Sequence, residues 1–254
     1  MEKKFIPESE LIINPDGSVF HLHLLPEQLT DRVILVGDPG RVNMVAEFFD
    51  TRTFEVSSRE FHTIGGTYKG KPIMCLSHGI GPDNIDIVIN ELDALANIDF
   101  KTREVREQKR VLTLVRIGTS GALQPELSLG TPVIAEHSIG FDGVLNYYAG
   151  RNKVADLDFE KAFTHHTDWN ENWAKPYVVP ADSELVAQIG RDDMVRGITI
   201  SATDLKAASC VSRFQIRGLT AASKPLNTTA ATSPTTRWRA HPFRDSANSW
   251  DIVP

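Results

Sequence analysis

The chain has 254 residues, 41% hydrophobic and 24% charged, which predicts one globular domain with a sizeable core. Its formal net charge of −6 argues against a nucleic-acid surface, and its apolar runs are strand-sized, so no membrane-spanning segment is expected. Two distant cysteines, Cys75 and Cys210, predict neither a disulfide framework nor a metal site, and no apolar leader follows Met1. These features together predict a reduced, cytoplasmic protein.

The N-terminal part is predicted to form an arm, two strands and a helix. Residues 1–18 are expected to be an extended polar arm that ends in a turn at 14–17, and residues 19–25 alternate like a short strand. Residues 33–36 are a β-branched run typical of a buried strand, and residues 41–49 carry apolar side chains at helical spacing. The pattern therefore predicts a buried strand followed by a helix.

A hairpin and an amphipathic helix are predicted next. Residues 54–64 and 72–77 are strand-like, and the glycines of 65–66 and 69–71 are expected to turn the chain between them. Residues 84–95 carry apolar side chains along one helical stripe.

The remaining pattern adds three strands. These are expected at 111–115, 132–135 and 198–201, whereas the charged run 101–110 is interpreted as a solvated helix end. Strands that alternate with helices predict a three-layer α/β fold with a mainly parallel sheet.

Two glycine–arginine turns are the main functional signal. The segments Gly37–Arg41 and Arg116–Gly121 each follow a predicted strand, and each combines glycines with one arginine. Glycines let backbone N–H groups approach an anion, and arginine adds a bidentate charged donor. The sequence thus predicts a pocket for a phosphate-sized ion at the carboxyl ends of parallel strands.

Two nucleotide-binding motifs are considered and set aside. Gly65-x4-Gly70-Lys71 resembles a P-loop, but Pro72 and a strand follow where a P-loop must open a helix. Gly79-Ile80-Gly81 is shorter than the dinucleotide-binding fingerprint. A dinucleotide-binding α/β domain is kept only as an alternative.

Histidines and an isolated arginine receive structural interpretations when taken alone. His165-His166 with Asp168 suggests a metal site, but Trp169 and the absence of a third ligand favour a packed loop, so no metal is predicted. Similarly, without further context His21 is interpreted as a structural histidine and Arg59 as a surface side chain.

Five segments in order carry a family resemblance: Val19-Phe20-His21-Leu22, Gly37-Asp38-Pro39-x-Arg41, Ser58-Arg59-Glu60-Phe61, Gly79-Ile80-Gly81 and the run from Arg116 to Pro125. Together they resemble the nucleoside phosphorylase family and, within it, the uridine phosphorylases. The resemblance covers about residues 19–202 and implies a three-layer α/β/α fold with a central mixed, mainly parallel sheet.

The resemblance also implies roles for individual residues. Phosphate would be held by Gly37, Arg41, Arg116 and Thr119, with Arg59 completing the site from a neighbouring subunit. His21 would reach across the same interface toward the ribose 5′-hydroxyl. The nucleoside would also contact Thr119, Ser120 and Gly121.

The implied reaction is phosphorolysis, with uridine and phosphate giving uracil and ribose 1-phosphate. It requires no organic cofactor or metal, since inorganic phosphate is the co-substrate. The implied partner is a second copy of the chain, in a dimer-based homo-oligomer that extends up to a hexamer. A purine-selective phosphorylase remains an alternative, and so does an inactive remnant that binds phosphate or associates with intact subunits.

The last 52 residues differ in composition from the rest. Residues 203–254 carry seven Lys or Arg, three Asp and no Glu, a net charge of +4, which leaves −10 for the first 202 residues. They contain no Glu-Met-Glu segment, which the family uses for the ribose hydroxyls, nor the expected base-reading pair of Gln and Arg. We therefore divide the chain into an incomplete phosphorylase-like domain at 1–202 and an aberrant tail at 203–254.

A frameshift just after Ala202 is our hypothesis for this tail. Codons for residues 233–240, read one base earlier, permit Ile-Thr-Asn-Tyr-Glu-Met-Glu-Ser, which resembles the missing segment. The hypothesis predicts a missing or non-native C-terminal part, and hence a poorly soluble, inactive polypeptide when the chain is made as written. DNA sequencing across codons 198–240 tests it.

Overall fold

The computed structural model describes residues 4–120 and 124–201. The chain divides after Ile117 into two compact units, the second beginning at Gly118. The proposed out-of-frame tail and Gly121 lie outside the described residues, so the frameshift and the domain division at residue 202 stay predictions. Within the described ranges, no helix is both long enough and apolar enough to cross a membrane.

The first unit is built on a mixed five-stranded sheet in the order β2-β3-β4-β1-β7. Its strands β1 and β4 pair in parallel, as do β1 and β7, whereas β2, β3 and β4 form an antiparallel meander. The sheet strands are β1 (Arg32–Val36), β2 (Thr51–Ser58), β3 (Phe61–Tyr68), β4 (Lys71–Ser77) and β7 (Thr113–Arg116). The carboxyl ends of β4, β1 and β7 consequently meet at one edge.

Two helices and a small strand pair complete this unit. These are α1 (Gly40–Ala46), α2 (Pro82–Asn97), β5 (Ile98–Asp99) and β6 (Glu104–Val105). Helix α1 packs Val42 and Ala46 against Ile64 and Cys75 of the sheet. Burial of this apolar cluster fixes the loop between β1 and α1, which carries Gly37.

The predicted hairpin turn at Lys69-Gly70 is confirmed between β3 and β4, but the predicted strand 54–64 is interrupted by a second turn at Arg59-Glu60. Gly65 and Gly66 lie inside β3, where they permit close packing. A Cβ on Gly65 would lie 2.0 Å from the Phe54 ring, and one on Gly66 would lie 2.0 Å from a backbone oxygen of β2. Glycine inside a strand here marks close approach rather than a turn.

Two other local predictions are also wrong. Residues 19–25 form a turn rather than a strand, since the Val19 N–H donates to the Leu24 carbonyl over 3.0 Å and the chain doubles back. The charged run 101–110 forms a turn, β6 and a loop rather than a helix end. Arg103 and Arg110 donate to backbone carbonyls of other segments, which ties this run to the unit.

The second unit contains a three-stranded mixed sheet in the order β10-β8-β9. Its elements are β8 (Val133–Gly140), α3 (Leu157–His166), β9 (Tyr177–Pro180), α4 (Ser183–Ile189) and β10 (Val195–Ser201). Its core packs Phe163 of α3 against Ile139, Val178 and Ile198 of the three strands. The expected α/β architecture with mixed sheets is confirmed.

Candidate functional site

The candidate site of the first unit lies where three strands of one sheet end. Gly37 follows β1, His78 follows β4, and Arg116 is the last residue of β7. The His78 N–H donates to the Val36 carbonyl over 2.8 Å, and the Ile117 N–H donates to the Leu35 carbonyl over 2.8 Å. These hydrogen bonds extend the parallel ladders and hold the three strand ends at one level.

Arg116 and His78 are directly bonded at this edge. The Arg116 Nε–H donates to His78 Nε2 over 2.9 Å. Because a guanidinium only donates hydrogen bonds, Nε2 must be the unprotonated acceptor, and the proton of the neutral ring is on Nδ1.

The environment of His78 favours that neutral state. Its side chain is only 2% exposed. Burial, reinforced by the nearby positive charge of Arg116, lowers the pKa of His78 to about 4. His78 is therefore uncharged at neutral pH, and it accepts a hydrogen bond without cancelling the charge of Arg116.

Gly37 leaves space in front of this pair. A Cβ added to Gly37 would lie 3.7 Å from Arg116 Nη2 and 3.8 Å from His78 Cε1. The two Nη atoms of Arg116 are buried. A larger side chain at position 37 would fill the space beside the guanidinium, where the Gly79 carbonyl oxygen also lies 3.8 Å from the Cβ position.

The loops on either side have defined turns. The Gly40 N–H donates to Asp38 Oδ1 over 2.7 Å, and the Arg41 N–H donates to the Asp38 carbonyl over 3.0 Å. Arg41 thus lies in the first turn of α1, directly after the loop that carries Gly37. Gly79 has φ +68°, and a Cβ there would come within 2.8 Å of Asn84 Nδ2, so the turn after His78 requires glycine.

A second cluster joins Arg59 to His21. Arg59 is exposed on the β2–β3 turn with φ +54°, and its guanidinium carbon lies 5.6 Å from the centre of the Phe20 ring. The rings of Phe20 and His21 meet edge to face at 4.8 Å. One unbroken set of contacts therefore connects the two residues that the family resemblance assigns to an interface.

Glu91 of α2 binds the His21 end of this cluster through hydrogen bonds. It is 7% exposed, and its carboxylate accepts from the backbone N–H groups of His21 and Leu22 over 2.9 and 2.8 Å. Its Oε1 is also 2.6 Å from His21 Nδ1. Because the carboxylate only accepts, the shared proton belongs to Nδ1, which leaves Nε2 as the ring nitrogen that can meet a ligand.

A model of the Phosphorylase superfamily matches residues 31–205, more than half of the chain. The chain belongs to the Phosphorylase superfamily. It is 31% identical over 164 residues to the uridine phosphorylase of Haemophilus influenzae, covering 64% of this chain and 60% of that protein. It is also 31% identical over 112 residues to the purine nucleoside phosphorylase of Plasmodium falciparum, covering 44% of this chain and 40% of that protein.

A solved structure in the same superfamily has a similar fold. The Trypanosoma brucei nucleoside phosphorylase, whose crystal structure is described as showing uridine phosphorylase activity, aligns with a TM-score of 0.66 at 25% identity. The alignment covers 77% of this chain and 69% of that one. The predicted family resemblance is confirmed. The chain spans 60% of the H. influenzae relative's length.

Within this phosphorylase fold, the predicted site residues fall into three groups. Gly37 and Arg116 lie together, and Arg41 lies in the first turn of α1, the helix that follows the Gly37 loop. Arg59 and His21 lie in the Phe20 cluster. Thr119 and Ser120 belong to the second unit, and Gly121 lies outside the described residues, so the roles of these three stay predictions.

Sequence reasoning missed two residues of these clusters, and each left a signal. Glu91 is a charged residue between the apolar positions of the α2 stripe, where a carboxylate needs partners. His78 lies directly after a strand, beside Gly79-Ile80-Gly81.

The metal alternative concerned His165 and His166, which end α3. The described part of the chain holds no group of three metal-ligating side chains.

Proposed function

We propose that this chain is a nucleoside phosphorylase that cleaves uridine with inorganic phosphate. The observation that carries the proposal is the geometry at Arg116. A half-buried arginine ends a strand, a neutral histidine holds its Nε, and Gly37 leaves space beside its Nη2. Such a guanidinium suits an oxyanion, because its planar edge matches two phosphate oxygens.

The proposed chemistry uses these groups for positioning and electrostatics. A phosphate oxygen forms a bond to C1′ of the ribosyl group while the C1′–N1 bond breaks. The electron pair of that bond leaves with the base, which takes up the proton that the hydrogen phosphate loses, and the products are uracil and ribose 1-phosphate. Arg116, together with Arg41 from the first turn of α1, would hold the phosphate near a C1′ that becomes cationic.

The proposal includes a homo-oligomer with shared sites. Arg59 is exposed and lies on Phe20, next to His21, so one surface could deliver both side chains to a neighbouring copy. In that arrangement Arg59 would add a second charge to the phosphate. His21 Nε2 would accept a hydrogen bond from the ribose 5′-hydroxyl while Glu91 holds Nδ1.

The similarity to a purine nucleoside phosphorylase supports a second candidate, in which the base is a purine. Arg116 and Gly37 act on the phosphate and do not discriminate between bases. Uridine is preferred here because the H. influenzae relative covers more of the chain than the Plasmodium falciparum one does.

An inactive remnant is the third candidate, favoured by the tail composition, since residues 203–254 contain no glutamate for the ribose hydroxyls. A remnant would bind phosphate through Arg116 without turning over any nucleoside. A low soluble yield of the expressed chain would support the same alternative.

A substrate panel tests the proposal. The purified chain is incubated with uridine or inosine, with and without phosphate, and the released base is quantified. The proposal predicts uracil release that requires phosphate, and such release would contradict the inactive polypeptide that the frameshift hypothesis predicts. Arg116→Gln should abolish it, whereas Arg191→Gln, an exposed arginine of the second unit, should not. Phosphate-dependent inosine cleavage would support the purine candidate, and release of uracil without phosphate would contradict phosphorolysis.

A further inference from the structure

We propose that His78 is a positioning residue that sets the orientation of the Arg116 guanidinium for phosphate. This inference rests on the proposed function, because it assigns the phosphate to Arg116. Its basis is the hydrogen bond from Arg116 Nε–H to His78 Nε2 at 2.9 Å.

The bond constrains the torsion that matters most for a bidentate donor. An arginine side chain is long and has many rotamers, so a guanidinium is positioned only when something fixes its plane. Holding Nε fixes that plane, and with it the directions of both Nη groups. In this fold, Nη2 is then placed beside the space that Gly37 leaves.

The backbone fixes His78 in turn. Its N–H donates to the Val36 carbonyl over 2.8 Å, directly after β4, and the ring is buried. The Gly79 turn follows, with φ +68°. The imidazole is thereby a rigid support, carried by the same sheet that carries Arg116.

A neutral acceptor is the chemically appropriate group at this position. A carboxylate would also accept from Nε, but its charge would offset that of the guanidinium and weaken phosphate binding. A protonated imidazole could not accept at all. Burial and the neighbouring guanidinium keep the ring neutral, so His78 does not offset the positive charge of Arg116.

A core histidine with no functional role is the competing explanation, and three substitutions separate the two. His78→Gln keeps an uncharged acceptor, His78→Leu removes the acceptor, and His78→Glu supplies a charged one. Inorganic phosphate is titrated calorimetrically into each folded protein. The matched control is His137→Leu, a largely buried histidine of the second unit.

The expected result is a graded effect on phosphate affinity. His78→Leu and His78→Glu should each bind phosphate about tenfold more weakly, and His78→Gln should stay close to the unsubstituted chain. Equal affinity in all three variants would overturn the positioning role alone. An unsubstituted chain that does not bind phosphate would overturn both this inference and the phosphate site itself.

A second measurement needs no variant, so it tests the inference even if the substituted proteins do not fold. The ¹⁵N resonances of the His78 ring in the unsubstituted chain distinguish its two tautomers. The inference requires the proton on Nδ1 and a bare Nε2. A protonated Nε2 would overturn it, because that atom could then not accept from Arg116.

Discussion

Arg116 and His78 end or follow two different strands of one sheet, and a single hydrogen bond of 2.9 Å joins their side chains. They are 38 residues apart in the chain. Only the strand order, which places β4 and β7 on opposite sides of β1, brings them to the same edge. The phosphate site that we propose is therefore a product of sheet topology.

The first prediction concerns the shape of the Arg116 donor. Arg116→Lys keeps the positive charge but loses the planar fork and the Nε–H that His78 binds. We expect kcat/KM for phosphate to fall by about a hundredfold. Steady-state kinetics at saturating nucleoside measure this. Arg191→Lys is the control, and a loss of less than about threefold in Arg116→Lys would show that charge alone is sufficient.

The second prediction concerns Glu91 and His21. Glu91→Gln removes the negative charge that holds His21 Nδ1 and two backbone N–H groups. If His21 contacts the ribose 5′-hydroxyl, the preference for uridine over 5′-deoxyuridine should fall by about tenfold. Activity on 5′-deoxyuridine itself should change little.

The ratio of kcat/KM values for the two nucleosides checks this second prediction. Glu107→Gln, on the exposed loop after β6, is the matched control. A preference that is unchanged in Glu91→Gln would separate Glu91 from the recognition of the 5′-hydroxyl.

The third prediction concerns close packing in β3. A Cβ on Gly66 would lie 2.0 Å from the Thr51 backbone oxygen, so Gly66→Ala should lower the free energy of unfolding by about 3 kcal/mol. Gly70→Ala meets no atom within 4 Å and should cost only about 1 kcal/mol, from its φ of +70°. Urea unfolding measures both. Equal losses would contradict the packing explanation.

The fourth prediction concerns pH and stability. The pKa of His78 is about 4 in the folded protein and about 6.5 in an unfolded chain, so the unfolded state binds the extra proton between these values. The free energy of unfolding is therefore unaffected by His78 above about pH 6.5, and it decreases as the pH falls from 6.5 toward 4. At pH 5 this loss is about 2 kcal/mol.

Urea unfolding at pH 7.5 and pH 5 checks the fourth prediction. His78→Gln has no titrating ring, so its stability should fall less between the two pH values than that of the unsubstituted chain. Other titrating groups contribute equally to both proteins. The same pH dependence in both would show that His78 is not held neutral by its surroundings.

The sequence predicted the elements that have a clear hydrophobic period. Strand β1 and helix α2 were expected close to their observed bounds, and the glycine–arginine turns correctly marked two strand ends. Gly65-Gly66 misled the hairpin prediction, because glycine serves close packing as well as turning. The alternating residues 19–25 misled in a similar way, since Leu22 and Leu24 are buried around a tight turn.

Other features had no local signature. Helices α3 and α4 are the exception, since Asp156 and Asp182 mark their starts as N-caps that accept from Phe159 N and Leu185 N, but both helices are short and lack a sustained apolar period. The hydrogen bond between His78 and Arg116 depends on the strand order of the sheet, which no local sequence pattern specifies. The contact between Arg59 and Phe20 likewise joins two turns that are distant in the chain.

The central claim is that phosphate, rather than water, attacks the nucleoside. The most direct measurement follows ³¹P resonances while the chain acts on uridine in phosphate buffer. The account predicts a new ribose 1-phosphate signal that grows in proportion to released uracil, and its loss in Arg116→Gln. Uracil release without any new phosphorus signal, or a signal that persists in Arg116→Gln, would contradict it.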